Sequence, residues 1–446
     1  MSTVLSDTAG QWNSDGMSTE IKQADARLAR EPEKCPNLAD LKRAIPAHCF
    51  QSSVTRSVAY LVRDVCMALV LAYGALHIRA ESTMASAILW NLYGFTQGLV
   101  FTGIWILAHE CGHGAFSAYR HLNDTVGWLC HSFLGVPYFS WKITHARHHR
   151  FTGHLNKDVA FVPHTVGEVS SETGLSLAAL EELCEDTPLV TTAKLIAHQL
   201  LGWQAHLIFN ISAGHESHVR GDGIGGKGWF SARASHFDPW SDLFLPQQAR
   251  LVVLSDIGLA LTAYALYTVA QATTWQTAAL LWAVPYMWVH HWLVAITFLQ
   301  HTHADVPRYG DGTWTFTLGN LCTIDRDFGF IGDFFFHRAI NDHVVHHLFP
   351  KIPHYHASEA TAGIRPLLGE FYNSSRESFL ISLWKTFRAC RWVKEEMGAP
   401  APQTYHWVRP STERPVRSRS VNALYWITKT FNSSAAIPVR TKMEEL

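Results

Sequence analysis

The sequence predicts an all-α integral membrane protein with four transmembrane helices arranged as two hairpins. Charged residues make up only 16% of the 446 residues, and the apolar residues are concentrated in long stretches. Four of these stretches reach the roughly 20 residues that a helix needs to cross a bilayer. Histidines also recur in three clusters at helical spacing. Together these observations favour a helical membrane protein over a set of soluble domains.

The predicted spans cover residues 58–78, 84–108, 251–270 and 275–299. The second and fourth spans contain no Asp, Glu, Lys or Arg, and the short connectors 79–83 and 271–274 join the spans into hairpins. An ionisable residue inside a span is a candidate functional residue. Asp256 lies near the start of the third span, beside Arg250, however, and the preferred interpretation is that it reaches towards the membrane surface or pairs locally.

Basic residues predict the orientation of the chain. Lys and Arg are frequent before the first span, between residues 120 and 250 and after residue 308, whereas the two connectors hold only Arg79. The positive-inside rule therefore places both termini and the long middle segment in the cytoplasm, with all three histidine clusters on that side. The apolar stretches 126–138 and 195–213 are predicted as interfacial helices, because a crossing by the latter would separate the second and third clusters.

The remaining segments are predicted to flank or connect the membrane domain. Residues 1–45 read as a polar tail without a cleavable signal peptide, residues 46–395 as the membrane domain, and residues 396–446 as a cytoplasmic C-terminal tail. The glycine-rich stretch 214–238 is predicted as a loop. The formal net charge of −1 does not indicate a nucleic-acid partner.

Three histidine clusters carry the candidate chemistry. They are His109 with His113, then His145 with His148 and His149, and finally His343 with His346 and His347. Residues three or four positions apart share one face of a helix, so each cluster can offer two or three imidazoles to one cation. Neutral imidazole is a good ligand for iron, zinc and copper. By chance, a chain with 27 histidines would contain the pattern H-x-x-H-H only about 0.1 times, and this chain contains it twice.

Eight histidines exceed the needs of a single metal ion. A structural zinc ion takes four protein ligands and a catalytic zinc ion three. Two irons that share bridging oxygens would use about eight or nine nitrogens, and iron is the imidazole-compatible metal that activates dioxygen. The clusters therefore predict a pair of irons that oxidises a C–H bond of a lipid-like substrate, which reaches the site from the bilayer.

The clusters and their flanking residues resemble the membrane fatty acyl desaturase family, in particular its oleate Δ12 and ω3 branch in fungi and plants. The resemblance extends over residues 45–372 and rests on the segments 108–117, 141–149, 152–154, 299–302, 321–326, 343–355 and 369–372. It implies a four-helix membrane stem under a cytoplasmic helical cap that carries a histidine-rich di-iron site. It also implies dioxygen as co-substrate and the endoplasmic reticulum membrane as the location.

By this resemblance the eight clustered histidines are iron ligands, and no further catalytic residue is predicted. Related structures use an additional histidine just past the last membrane helix, and His301 is the matching candidate. The alternative for His301 is an interfacial histidine that caps the helix. His290, His291 and His303 are weaker candidates. The sequence has no His-Pro-Gly-Gly haem motif, so electrons from NADH would arrive through a reductase and a separate cytochrome b5.

The position of attack on the acyl chain is less clearly indicated. Glu110 in the first cluster resembles the Δ12 enzymes, whereas residues 348–356 are closer to ω3 relatives. Hydroxylases, conjugases and acetylenases of the same branch share the ligand set. We predict insertion of a cis double bond at Δ12 of an oleoyl-type chain, carried as a phospholipid or as acyl-CoA. The alternatives are ω3 (Δ15) desaturation or one of the diverged activities.

Two readings from other classes remain as alternatives. The first cluster matches the zinc protease pattern H-E-x-x-H, with Glu110 as general base. That reading leaves both H-x-x-H-H clusters without a role. A histidine-rich metal transporter would hold its metal within the spans near the middle of the bilayer, whereas the clusters lie outside the predicted spans.

Overall fold

The computed structural model describes residues 31–78, 82–176, 179, 187–219, 234–396 and 401–408. Most of both predicted tails, part of the connector 79–83 and the centre of the predicted loop 214–238 lie outside these residues. The described residues form mainly helices, in agreement with the predicted helical fold.

In chain order, the α-helices of the described residues are α1 (Leu38–Ala44), α2 (Val54–Ala75), α3 (Thr83–His113), α4 (Arg120–Phe133), α5 (Tyr138–Phe151), α6 (Val166–Thr173), α7 (Pro188–Phe209), α8 (Ala249–Ala272), α9 (Trp275–Ala278), α10 (Val284–His301), α11 (Phe316–Asn320), α12 (His343–Leu348), α13 (His354–Leu368) and α14 (Phe379–Ala389). Short 3-10 helices cover Pro32–Lys34, Ala47–Phe50, Pro246–Gln248 and Gly369–Phe371. The segments Ala279–Ala283 and Ile331–Phe335 are π-helical.

Three helical segments among the described residues are long and apolar enough to cross a membrane, judged by length and composition. They are Val54–Ala75, Pro246–Ala272 and Trp275–His301. Helix α3, which covers the second predicted span, is longer at 31 residues but carries polar side chains such as Asn91 and Gln97. The chain is therefore a membrane protein, and the count of four spans stays a prediction.

Helix α3 continues beyond the predicted span and carries the first histidine cluster in its last turns. No proline or run of glycines interrupts it before Gly114. Gly114 adopts a left-handed conformation with φ 72°, and its N–H donates to the carbonyl of Cys111 at 3.1 Å. This is the conformation that favours glycine at a helix C-terminus.

Small residues let α3 approach α10 closely. A Cβ atom added at Gly98 would lie 2.4 Å from the Cβ of Trp288, and one at Gly94 would lie 2.6 Å from a methyl group of Val284. Close backbone approach through small residues is typical of helix packing in membranes. The tight contact fixes the positions of the C-terminal ends of α3 and α10 relative to each other.

Two acidic residues within the predicted spans differ in their surroundings. Asp64 is buried in α2, where it contacts Nε2 of His337 at 2.7 Å and the guanidinium of Arg63 at 2.8 Å. Asp256 forms no ion pair with Arg250 in the described part of the chain, and its buried Oδ1 has no hydrogen-bond partner there. Of the two alternatives predicted for Asp256, the local pair with Arg250 is therefore not observed among the described residues. Positions six apart point to different sides of a helix, unlike positions three or four apart.

An apolar core lies around α12 and α13, and α1 contributes to it. Leu41 of α1 is fully buried in this core together with Val345, Leu348 and Ile364. Residues 38–44, which the sequence predictions assign to the polar tail, thus pack onto α13.

Short strands add to the predicted all-α fold. Strands β1 (His164–Thr165), β2 (Arg308–Tyr309), β5 (Trp392–Glu395) and β6 (Thr404–Trp407) form a sheet in the order β1-β5-β6-β2, and β3 (Asp325–Arg326) pairs with β4 (Ser374–Ser375). Strand β6 lies in the segment predicted as a C-terminal tail and is antiparallel to β5. Strands of two to four residues are too short for an alternating apolar pattern to reveal them.

Candidate metal centre

Four helices bring the histidine clusters to one place. Helix α3 carries the first cluster in its last two turns, α5 carries the second and α12 the third. His301 is the last residue of α10. His109 with His113 and His145 with His149 are four residues apart and share one helical face. Adjacent histidines, as at 148 and 149 or 346 and 347, point in different directions from the same helix.

One group of five histidines has donor nitrogens that all lie within 4.8 Å of one another. Its members are His109, His113, His145, His149 and His346. The Nε2 atom of His113 lies 3.2 Å from that of His109 and 3.1 Å from that of His145. The Nε2 atoms of His145 and His149 are 3.1 Å apart.

A second group contains His148, His301 and His347, all buried. The Nε2 atom of His301 lies 3.2 Å from that of His148 and 3.1 Å from that of His343, so His343 adjoins this group. The two groups are in contact, because the rings of His149 and His347 stack with their centroids 4.0 Å apart.

This geometry fits metal ions. Neutral imidazole has one N–H, so Nε2 atoms that all face each other cannot satisfy one another completely. Among the described residues, the buried Nε2 atoms of His346 and His347 have no hydrogen-bond partner. Two nitrogens bound to one metal at about 2.1 Å and at right angles lie about 3 Å apart, close to the observed 3.1–3.2 Å. The two groups thus suit two neighbouring metal ions.

Burial keeps these imidazoles neutral. It lowers the pKa of His346 to about 3, and repulsion from His109 adds to this effect. The pKa values of His145 and His149 are held well below the usual 6.5, again mainly by burial and then by neighbouring histidines. The neutral imidazole is the form that binds a metal.

Hydrogen bonds to Nδ1, the ring nitrogen remote from the facing Nε2 atoms, orient two of the histidine rings. The Nδ1 atom of His148 lies 2.6 Å from the buried carboxylate of Asp158. Nδ1 of His347 lies 3.1 Å from both the Thr152 hydroxyl and the side-chain oxygen of Asn320. A partner on the far ring nitrogen fixes the tautomer and makes the near nitrogen a better ligand.

Glu110 of the H-E-x-x-H pattern is directed away from the facing nitrogens. One of its carboxylate oxygens accepts the backbone N–H of His354 at 3.0 Å. The other lies 3.8 Å from Nδ1 of His109, the nitrogen opposite the one that faces His113. Glu110 is therefore placed as a link between α3 and α13.

The weaker candidates among the histidines lie elsewhere. Nε2 of His290 contacts the side-chain amide of Gln204 at 3.0 Å, and Nδ1 of His303 lies 3.7 Å from Asp305. Neither these residues nor His291 belong to the two metal-binding groups of the described residues.

A partly open cavity of about 280 Å³ adjoins the histidines. Six of the candidate ligands line it: His109, His145, His148, His301, His343 and His346. Most of its other walls are apolar, with Trp105, Trp203, Leu293, Val294 and Ile340 among them. A mainly apolar cavity with a few converging polar groups is the usual form of a small-molecule site. This cavity suits a hydrocarbon chain.

Two histidine groups suited to metal ions lie beside an apolar cavity, in a protein with helices long enough to cross a bilayer. These are the features of a membrane metalloenzyme that acts on an apolar substrate. Comparison with known proteins gives the family. The model of the fatty acid desaturase family matches residues 85–379, about two thirds of the 446 residues. The chain belongs to this family and is an oxidoreductase that acts on fatty acids.

Individual relatives cover most of the chain. An oleate hydroxylase of Claviceps purpurea is 42% identical over 374 residues, which are 81% of this chain and 78% of the relative. A Delta(12) fatty acid desaturase of Mortierella isabellina is 39% identical over 385 residues, 84% of this chain and 92% of the relative. An oleoyl-12-hydroxylase of Ricinus communis is 37% identical over 389 residues, 86% of this chain and 94% of the relative.

The structure brings together all nine histidines that the sequence singled out, and it adds residues that the sequence analysis did not assign. Asp158, Thr152 and Asn320 contact the far nitrogens of His148 and His347. Asn320 is 27 residues before its partner His347, so no helical spacing connects them. Only Thr152 lay within a segment that the resemblance had marked.

Proposed function

We propose that this protein is an oxygen-dependent di-iron desaturase that introduces a cis double bond at Δ12 of an oleoyl-type chain. The observation that carries the proposal is the pair of buried histidine groups that line an apolar cavity. The 39% identity to a Delta(12) fatty acid desaturase supports this substrate and position. The iron ligands would be His109, His113, His145, His148, His149, His301, His343, His346 and His347.

In the reaction two hydrogens leave neighbouring carbons of the chain. Together with two electrons from the donor and two protons from solvent, they reduce one dioxygen to two waters. Bound iron would supply dioxygen activation. The residues of the chain hold the metal through neutral imidazoles, orient those imidazoles through Asp158 and Asn320, and exclude water through the apolar cavity wall.

A second candidate is hydroxylation of the same chain. The 42% identity to an oleate hydroxylase supports it. Hydroxylation inserts one oxygen atom of dioxygen into a C–H bond, and the same two electrons and two protons reduce the other oxygen atom to water. It therefore needs the same ligands and the same cavity. The two reactions differ only in how the activated oxygen is used.

The partners and the topology belong to the same proposal. Cytochrome b5 and its NADH-dependent reductase would supply electrons from outside the chain. We place the protein in the endoplasmic reticulum membrane with four spans, cytoplasmic termini and a cytoplasmic helical cap. The acyl carrier would be a phospholipid or coenzyme A.

The test is expression of the full chain in yeast, which supplies oleate and cytochrome b5. Fatty acids are then resolved by double-bond position and by hydroxylation. We expect a diene with the new double bond at Δ12. A 12-hydroxy product would support the second candidate, and an ω3 product would overturn the proposed position. No new fatty acid from a chain that is present in membranes and carries iron would overturn both candidates.

A further inference from the structure

A third cluster of metal-binding side chains lies outside the histidine centre. It consists of His48, Cys49, His356 and Glu359, and one donor atom of each lies within 4.8 Å of the others. Nε2 of His48 is 2.9 Å from a carboxylate oxygen of Glu359 and 3.8 Å from Sγ of Cys49. The rings of His48 and His356 meet edge to face with their centroids 5.3 Å apart.

The local fold holds these four residues together. His48 and Cys49 lie in the 3-10 helix Ala47–Phe50, and His356 and Glu359 are three positions apart near the start of α13. Residues at that spacing share one helical face. Cys49 is fully buried against the same apolar core as Ala357 and Ala360. The backbone of each element is therefore fixed independently of the polar side chains.

Two further contacts fix the segment on α13. A Cβ atom added at Gly363 would lie 2.6 Å from the carbonyl oxygen of Ala44, so the chain entering the 3-10 helix runs directly over α13. The hydroxyl of Tyr355 accepts the backbone N–H of Ser53 at 2.6 Å. Along the chain, the residues of the cluster therefore lie between two contacts that join the segment 44–53 to α13.

The donor set matches zinc. Four ligands drawn from thiolate, imidazole and carboxylate give zinc a closed tetrahedral site, with donors about 3.3–3.7 Å apart at typical bond lengths. The observed distances of 2.9 and 3.8 Å lie on either side of this range. The side chains of His48 and Glu359 are 53% and 50% exposed, so they are free to adjust by the fraction of an ångström that is required.

We propose that His48, Cys49, His356 and Glu359 form a structural zinc site that joins the segment leading into α2 to helix α13. Binding transfers the Cys49 thiol proton to solvent and forms a sulfur–zinc bond, without any change of oxidation state. The thiolate and the Glu359 carboxylate then balance the charge of the ion. The site is separate from the histidine centre and does not depend on the proposed reaction.

The chemistry of the Cys49 thiol is consistent with this proposal. Burial, and then the charge of Glu359, raise the pKa of the Cys49 thiol to about 11. The thiol is therefore neutral without a metal, and a divalent cation is needed to stabilise the thiolate.

The test measures zinc and iron per chain in the purified full-length protein by mass spectrometry. We expect about one zinc in the wild type in addition to the iron. The variants His356→Gln and Glu359→Gln should lose that zinc and keep their iron. Cys66→Ser and His77→Gln are the matched controls, since Cys66 and His77 are exposed near or on α2, and both should keep the zinc. Equal zinc in the wild type and in the two cluster variants would overturn the proposal.

Cobalt provides a second readout that is specific for the thiolate. Co²⁺ bound to a cysteine thiolate gives a charge-transfer absorption in the near ultraviolet, whereas Co²⁺ in an all-histidine centre does not. We expect this band in the wild type and its loss in Cys49→Ser. A band that survives in Cys49→Ser, or no band in the wild type, contradicts the site.

Discussion

At the residue scale, the centre depends on buried neutral imidazoles whose orientation other residues fix. The facing nitrogens lie 3.1–3.2 Å apart, and the far nitrogens of His148 and His347 contact Asp158, Thr152 and Asn320. In the proposed di-iron centre, loss of one imidazole would remove a metal bond, whereas loss of a supporting contact would weaken a bond that remains. The two kinds of substitution should therefore differ in severity.

Substitution of His347 should abolish most of the activity. His347 is fully buried between His148, His301 and His149, and the His347→Ala variant removes a donor from the smaller group. We expect loss of about one iron per chain and a fall in product of about 100-fold or more in the yeast assay. The control His303→Ala changes a histidine outside both groups and should keep iron and product. Full iron content in His347→Ala would remove this residue from the ligand set.

Substitution of Asp158 should have an intermediate effect. The Asp158→Asn variant keeps the size of the side chain but removes the charge next to Nδ1 of His148, 2.6 Å away. We expect activity and iron affinity to fall by about 10- to 100-fold, and added iron should partly restore activity. Asp311→Asn, at an exposed carboxylate, is the control. Unchanged iron affinity in Asp158→Asn would show that the contact does not tune the ligand.

Glu110 distinguishes the oxidase from the protease reading. Its carboxylate accepts the N–H of His354, and the amide oxygen of Gln can accept the same bond. We therefore expect Glu110→Gln to retain most of the desaturase product, as measured by fatty acid analysis. A zinc protease of the H-E-x-x-H type would lose its general base and its activity. Loss of product with unchanged iron and unchanged thermal stability would count against the structural role.

At the element scale, the close packing of α3 on α10 positions the first cluster relative to His301. Gly98 and Gly94 allow the contact because larger side chains would overlap Trp288 and Val284. The π-helical segment Ala279–Ala283 precedes α10, and Pro285 is the second residue of α10. Proline lacks the N–H that would donate a hydrogen bond to the preceding turn of a regular helix. The irregularity therefore lies at the N-terminal end of α10, away from His301.

The helix contact predicts opposite effects for two glycine substitutions. Gly98→Ala introduces a Cβ atom 2.4 Å from the Cβ of Trp288 and should destabilise the protein by about 1–3 kcal/mol. Gly74→Ala places its Cβ in open space and should be neutral or stabilising by up to about 1 kcal/mol. Thermal unfolding in detergent measures both. A Gly98→Ala variant as stable as Gly74→Ala would mean that the two helices are less closely packed.

At the scale of the whole molecule, folding buries many histidines in one centre and keeps their imidazoles uncharged. The pKa values of His145, His149, His343 and His347 are all held well below 6.5, and that of His346 is lowered to about 3. Each of these histidines binds protons more readily in the unfolded chain than in the folded one. The stability of the protein must therefore decrease as the pH falls below about 6.5.

Acidification should release metal and destabilise the protein together. The unfolded chain takes up protons below pH 6.5, and protons also compete with the metal for the imidazoles. From pH 7.5 to pH 5.5 we expect a lower thermal unfolding midpoint and loss of iron, with recovery on return to pH 7.5. Added iron should shift the transition to lower pH. A midpoint that rises on acidification would contradict the neutral state of the buried histidines.

The sequence by itself determined the helical membrane class and singled out the nine histidines that the structure brings together. Long uncharged stretches have few alternatives to a transmembrane helix, and H-x-x-H-H spacing brings three imidazoles within about 100° of each other around a helix. The sequence did not determine the strands Trp392–Glu395 and Thr404–Trp407, or the packing of Leu41 of the predicted polar tail onto α13. Short strands and single buried residues leave no periodic signal.

Only the tertiary structure decided which histidines share a group. His148 and His149 are neighbours in the chain, yet they belong to different groups, because adjacent positions on a helix point about 100° apart. The contacts of Asp158 and Asn320, the direction of Glu110 and the cavity wall also arise between distant segments. Such contacts depend on how helices pack against each other, and local spacing carries no information about that packing.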